Sequence, residues 1–298
     1  MYKKVIKCSV GVMAYNEEQN IASLLDALLR QNLRQARIGE IIVVSSGSTD
    51  STDDIVRAYA QNHKKIRLIA EPVRSGKSSA INLFIQNAKH DILIVESADT
   101  IPAKDTVERL VRPFNNARIG MTGGRPVPVN KTDTFVGYAV NLLWRLHHNM
   151  SIFSPKLGEM VAFRKSFKMI PERSAVDEAS IEAVIKAMGM QCLYVSNAFV
   201  HNKGPETLKD FVKQRKRIAI GHLWLKDQHN YSVSSNDVSL LAHLYLKECL
   251  SNPKDILKIT ATAKIELYCR LRGFIDFYHK KENPFIWDTI DSSKDLSR

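Results

Sequence analysis

The chain has 298 residues, enough for one large α/β domain with an extension or for two modest domains. With 44% hydrophobic and 25% charged residues it can fill a full core, which excludes disorder over most of its length. The net charge of +12 suits anionic partners such as phosphates, nucleic acid or lipid headgroups, but solubility alone would also account for it, and no nucleic-acid-binding module accompanies it.

Met1-Tyr2-Lys3-Lys4 runs directly into a short apolar stretch interrupted by Lys7, so no signal peptide is expected. Ser9 to Ala14 reads as a buried strand, and Glu17 to Arg30 as a helix with Ile21, Leu24, Leu25, Leu28 and Leu29 on one face. Glu40 to Val44 is a second buried strand. Ser48 to Ala60 opens with Ser, Thr and Asp, as a helix N-terminus should. Strand, helix and strand follow at Ile66 to Ala70, Ser75 to Ala88 and Asp91 to Val95, and Thr106 to Phe114 reads as helical. Strands apolar on both faces that alternate with helices predict a parallel sheet covered on both sides. Ligands of such sheets sit beyond the carboxyl ends of the strands. That directs attention to Tyr15-Asn16-Glu17, Ser45-Ser46-Gly47 and Glu96-Ser97-Ala98-Asp99.

The middle of the chain is less regular. It holds a Gly/Pro-rich stretch at Gly123-Gly124-Arg125-Pro126, a helix over Phe135 to His148, and strands at Met160 to Phe163 and Gln191 to Val195. Beyond about residue 230 the pattern turns helical and amphipathic, with lysines and arginines up to Lys280-Lys281 among the leucines. That tail predicts either helices packed on the main domain or an apolar face lying on an anionic membrane. No apolar run reaches the length of about 18 residues needed to span a bilayer. Four scattered cysteines make neither a zinc site nor a disulfide framework and fit a reducing compartment.

Gly76-Lys77-Ser78 looks like the end of a phosphate-binding P-loop, but the full pattern needs Gly where Glu71 stands. A longer ordered set is more specific. Val12-Met13-Ala14-Tyr15-Asn16-Glu17-Glu18 is followed by Val43-Val44-Ser45-Ser46-Gly47-Ser48-Thr49-Asp50, by Gly76-Lys77 with Ala80 and Asn82, and by Glu96-Ser97-Ala98-Asp99. Ala175-Val176-Asp177-Glu178 and Gln214-Arg215-Lys216-Arg217-Ile218 come later. Over residues 7 to 222 this set resembles the family 2 glycosyltransferases, which have the GT-A fold.

The resemblance implies an α/β fold with a Rossmann-like mixed sheet flanked by helices. It implies a nucleotide-sugar transferase domain over 1–225 and a helical extension over 226–298. The implied reaction moves a sugar from a nucleotide-diphosphate sugar, with inversion, to a hydroxyl or lipid-linked phosphate acceptor. Ala14, Tyr15, Glu17, Ser46, Gly76, Lys77, Ser97, Ala98 and Asp99 fall at the donor-binding positions. A Mn²⁺ or Mg²⁺ ion would offset the charge of the diphosphate, with Asp99 as its ligand and His201 as a second. Spacing back from Gly189 puts Glu178 at the position of the base, with Asp177 beside it as an alternative. Gln214 and Arg217 fall near the diphosphate and the acceptor. Glu159, His148 and the adjoining His147 and Trp144 are acceptor-side candidates.

Two positions depart from the family. Ser97 replaces the first carboxylate of its D-x-D element, and Ser46 stands where an Asp contacts the base. A catalytically inactive, nucleotide-sugar-binding relative is therefore an alternative. A nucleotidyltransferase is another, although it would carry a Gly-rich basic loop where Ala14-Tyr15-Asn16-Glu17 stands. The expected location is cytoplasmic, with the tail peripheral on the inner face of the membrane.

Overall fold

The computed structural model describes residues 5–280 and 285–286; Met1–Lys4 and Lys281 of the readings above lie outside the described residues. Four strands with intervening helices open the chain. They are β1 (Ile6–Ala14), α1 (Ile21–Leu29), β2 (Ala36–Ser46), α2 (Thr52–Asn62), β3 (Ile66–Glu71), α3 (Lys77–Asn87) and β4 (Ile92–Ser97). Then come β5 (Thr100–Pro102), α4 (Thr106–Val111) with a 3₁₀ turn after it, β6 (Ile119–Pro128), α5 (Phe135–Phe153), β7 (Val161–Arg164), α6 (Asp177–Ala187) and β8 (Gln191–Asn202). Helices α7 (Leu208–His229), α8 (Val238–Ser251) and α9 (Ile256–Lys280) complete the described chain.

One eight-stranded sheet runs in the order β3-β2-β1-β4-β7-β6-β8-β5. β1 pairs in parallel with β2 and β4, and β2 with β3, as the alternating pattern predicts. The far half is mixed: β7 is antiparallel to β4 and to β6, β8 is parallel to β6, and β5 is antiparallel to β8. Both faces of the first half are dry. Val10, Val12, Ile41, Val43 and Ile94 face one core, and Met13, Ile42, Val44, Leu93 and Val95 face the other. Period-two alternation feeding two cores is why these strands are unbroken apolar runs.

β6 departs from expectation, because the stretch read as irregular, Gly123 to Pro126, is strand. Gly and Pro are depleted in strands, and here they coincide with a register irregularity between Gly123 and Arg125. Pairing on both sides, with β7 and β8, holds the segment extended in spite of its composition.

The boundary read at residue 225 falls inside α7, which runs to His229, and α8 and α9 follow. That extension is docked. Gly273 of α9 lies so close to α7 that a Cβ there would sit 3.0 Å from Ala219 Cβ and 3.2 Å from the Lys216 carbonyl. Across the same contact Lys216 Nζ reaches Asp276 at 2.8 Å. The other face of α8 and α9 is apolar and exposed: Leu250 is 74%, Leu257 83%, Leu267 58% and Leu271 56% accessible.

Candidate active site

The strand order reverses between β1's two neighbours, β2 and β4, and the motif loops meet beyond the carboxyl ends of these strands. The first two loops are stitched together. The Asn16 and Glu17 amides donate to Ser48 Oγ and Thr52 Oγ1 at 3.1 and 2.8 Å, and the Thr49 amide donates to Asn16 Oδ1 at 2.8 Å. The Glu18 amide donates to Asp50 Oδ2 at 3.1 Å, and the Ser51 amide donates to Glu18 Oε2 at 3.0 Å. Asn16 takes a left-handed φ of 52°, a conformation Asn tolerates better than most residues. These two sequence elements are therefore one structural unit.

A third loop closes over it. Arg74 stacks on the Tyr15 ring at 3.8 Å, and the Ser75 amide donates to Ser46 Oγ at 3.0 Å. Ser46 thus anchors the loop that leads to Gly76. Gly47 makes this approach possible: its φ is 69°, and a Cβ there would meet the Arg74 amide nitrogen at 2.6 Å.

α3 fastens the segment that carries the acids. Asn82 brackets Ile170, donating to its carbonyl at 3.0 Å and accepting from its amide at 2.8 Å. Ser78 Oγ lies 2.8 Å from the Ser174 carbonyl and 2.6 Å from Asp177 Oδ1. Lys77 Nζ reaches Glu178 Oε1 at 2.7 Å. The two adjacent acids are consequently separated. Glu178 lines a cavity of about 290 Å³, whereas Asp177 is fully buried against Ser78. Asp177 is thus bound to α3, whereas Glu178 faces the cavity.

Asp99, Ser97, Glu159 and Lys77 line the same cavity as Glu178. Ala14 and Ala98 are buried at the strand ends, and the Ala98 amide donates to the Met13 carbonyl at 3.0 Å. Glu17 is nearly buried and accepts from Asn20 Nδ2 at 2.9 Å. Glu159 has a left-handed φ of 54°, and its Oε1 accepts from Asn202 Nδ2 at 3.1 Å. Held strain of this kind concentrates at functional sites.

Burial, with Asp99 and Glu178 beside it, pushes the Glu159 carboxyl up to about 7. Burial, then Glu159 and Asp99, raise Glu96 as well, beneath the cavity wall, where Thr100 donates to it. Burial works against the Lys77 ammonium, but Glu178 and Asp177 outweigh it and raise its pKa. Asp99, Glu159 and Glu178 therefore share the cavity with one ammonium, a set of oxygen donors that suits a divalent cation. Among the described residues no three His, Cys, Asp or Glu side chains converge to hold an ion on their own. An ion at Asp99 would need oxygens from a ligand and from water, which is the usual situation for Mg²⁺.

Gln214 and Arg217 of α7 line the cavity together with Ile218. His148 Nδ1 lies 2.9 Å from Tyr194 Oη and does not line the cavity; His147, edge-on to Trp144 at 5.2 Å, does. Asn202 faces the cavity where His201 was expected, and successive strand residues point to opposite faces. Lys156, Arg215, His222, Glu266 and Arg270 also line the cavity and escaped sequence reasoning. They come from a loop and two distant helices, and the one available signal was Arg215 within the basic run of α7.

The model of glycosyl transferase family 2 matches residues 9–176. The chain is 25% identical over 239 residues to the probable glycosyltransferase YdaM of Bacillus subtilis, covering 75% of this chain and 57% of that protein. It is 31% identical over 115 residues to the dolichyl-phosphate beta-glucosyltransferase of Homo sapiens, 36% of each. The chain thus spans little more than half the length of the first of these relatives and about a third of the second. Among solved structures, the mannosyltransferase PcManGT of Pyrobaculum calidifontis, in complex with GDP-Man and Mn²⁺, superposes with a TM-score of 0.65 at 21% identity, covering 92% of this chain and 88% of that one. Motif loops, sheet order and family match agree: the chain belongs to glycosyl transferase family 2 and has the GT-A fold.

Proposed function

We propose that the chain transfers a sugar from a nucleotide-diphosphate sugar, seated on the stitched motif loops, to an acceptor entering the cavity beside them. The observation that carries this reading is the convergence of Lys77, Asp99, Glu159 and Glu178 on one cavity wall next to those loops. Glu178 is the base. Lys77 holds its Oε1 at 2.7 Å, which orients Oε2 toward an acceptor hydroxyl or phosphate. Attack from the acceptor side gives single displacement with inversion. Arg217, which lines the cavity, would meet the diphosphate with a guanidinium suited to phosphate oxygens. Mn²⁺ or Mg²⁺ would be held at Asp99, and when bound would supply positive charge against the departing diphosphate. The Mn²⁺ and GDP-Man bound by the Pyrobaculum mannosyltransferase support this expectation.

Calorimetric titration of UDP, GDP and their common sugars, with and without Mn²⁺, tests the reading. One nucleotide should bind in a metal-dependent way, and Asp99→Asn should weaken that binding by about 10- to 100-fold. If no nucleotide binds, the reading falls. Binding without sugar transfer would leave the inactive, nucleotide-sugar-binding relative that Ser46 and Ser97 suggest.

We also propose that the exposed leucines of α8 and α9 rest on an anionic membrane, with a lipid-linked acceptor drawn from it. The support is Leu257, Lys264, Leu267, Leu271 and Arg272, an apolar stripe flanked by basic residues on one helix. The dolichyl-phosphate acceptor in the human relative's name fits such a surface. No helix of the described residues is long and apolar enough to cross a membrane. Leu257→Asp with Leu267→Asp should reduce co-sedimentation with phosphatidylglycerol vesicles by about tenfold or more, since each exposed leucine adds on the order of 1 kcal/mol. Undiminished co-sedimentation would remove the membrane from the proposal.

A further inference from the structure

The cavity has a second charged cluster, opposite in sign to the first. Lys156 follows α5, Arg215 lies on α7 and Arg270 on α9, and all three line the cavity. Glu266 binds both guanidiniums: Arg215 Nε and Nη2 reach its two oxygens at 2.8 Å each, and Arg270 Nε reaches Oε1 at 3.0 Å. Lys156 Nζ donates to Ser235 Oγ at 2.8 Å. Glu182, the other carboxylate acting on Lys156, is already bound by Lys186 Nζ at 2.7 Å and by Tyr231 Oη at 2.6 Å.

Burial, Arg215 and Arg270 push Lys156 down to about 7. Burial and these same cations hold the neighbouring His222 neutral. Two guanidiniums and a Lys156 that is about half protonated at pH 7 thus face one carboxylate of their own, an excess of between one and two positive charges inside a cavity. The largest carboxylate influences on Lys156 are Glu266 and Glu182, whereas those on Glu159, on the same loop, are Asp99 and Glu178. The cavity also has apolar lining, with Leu143, Trp144, Met150 and Leu241.

We propose that Lys156, Arg215 and Arg270 form an anchoring subsite for a phosphate monoester carried by the acceptor, separate from the donor diphosphate. This rests on the glycosyltransferase reading, which supplies the reacting end of the same cavity. A phosphate monoester carries about −1.5 to −2 charges at pH 7, which matches the excess better than a single carboxylate does. Two guanidiniums and an ammonium provide charge-assisted donors to its oxygens. The apolar lining suits the carbon skeleton between the phosphate and the reacting hydroxyl. The site therefore selects acceptors that are anionic at one end and nucleophilic at the other.

The probes are inorganic phosphate, glycerol phosphate and phosphatidic acid vesicles, titrated against the full chain and against Lys156→Gln. Nucleotide with Mn²⁺ is titrated in parallel against the wild type. The substitution keeps a donor for Ser235, so the thermal midpoint should stay within a few degrees and certify the fold. Phosphate or glycerol phosphate should bind the wild type and lose about tenfold or more in Lys156→Gln. A Lys156-dependent response to vesicles alone assigns the subsite to a lipid headgroup instead of a free acceptor. The proposal is overturned if none of the three probes binds, or if binding does not depend on Lys156. Metal-dependent nucleotide binding without Lys156-dependent anion binding removes the subsite and leaves the transferase reading standing. The converse result removes the transferase reading and keeps the anion site.

Discussion

Glu178→Gln is expected to lower the turnover number for sugar transfer by about 10²- to 10⁴-fold, the range for loss of a positioned general base. Metal-dependent nucleotide affinity should change little, because the donor rests on the stitched loops around Tyr15 and Ser46 rather than on Glu178. The amide keeps a hydrogen-bonding oxygen for Lys77 but cannot take up a proton from the acceptor. Asp177→Asn serves as the counterpart. Asp177 is buried and sits 2.6 Å from Ser78 Oγ, so its loss should appear chiefly as a lower thermal midpoint. Single-turnover rates and melting curves for both variants separate the roles. If Asp177→Asn abolishes transfer in a fully folded protein while Glu178→Gln retains it, the assignment of the base is reversed.

The order of those two acids marks the limit of what was legible beforehand. Spacing placed an acidic pair at the start of a helix, and a helix start presents adjacent residues in different directions. Which one faces the cavity depends on α3, whose Ser78 captures Asp177 and whose Lys77 captures Glu178. That contact joins segments about a hundred residues apart and leaves no periodic trace. The same limit explains why sequence could not tell that His147 and Asn202, rather than their neighbours His148 and His201, line the cavity. A motif locates a segment, but facing is decided by packing. The first four strands were legible because each carries an apolar run or alternation that reaches both cores, as Ile66, Leu68 and Ile69 do in β3. β6 was not, because neighbours on both sides override its Gly and Pro content. The basic cluster was least legible of all, since Lys156, Arg215 and Arg270 are brought together only when α9 docks on α7.

Glu266→Gln tests that docking. Glu266 is nearly buried, and it is the carboxylate that both Arg215 and Arg270 contact. Burial alone would raise its pKa, but Arg215 and Arg270 outweigh burial and hold it down at about 2. A carboxyl whose folded pKa lies below its ordinary value of 4.5 contributes stability that is fully present above 4.5. The contribution is lost as pH falls through 2. Removing this one partner at pH 7 leaves both guanidiniums without their carboxylate and should cost about 3–5 kcal/mol in urea unfolding. The gap between wild type and variant should then narrow below pH 4.5, because protonation of Glu266 deprives the wild type of the same charge. Phosphate should stabilise Glu266→Gln more than the wild type, since the anion then meets the cations without a competing carboxylate. Equal stability of the two proteins at pH 7 would mean that α9 is held by its apolar contacts and by Lys216–Asp276 alone. A pH-independent gap would mean that the hydrogen-bonding shape of Glu266, rather than its charge, joins the helices.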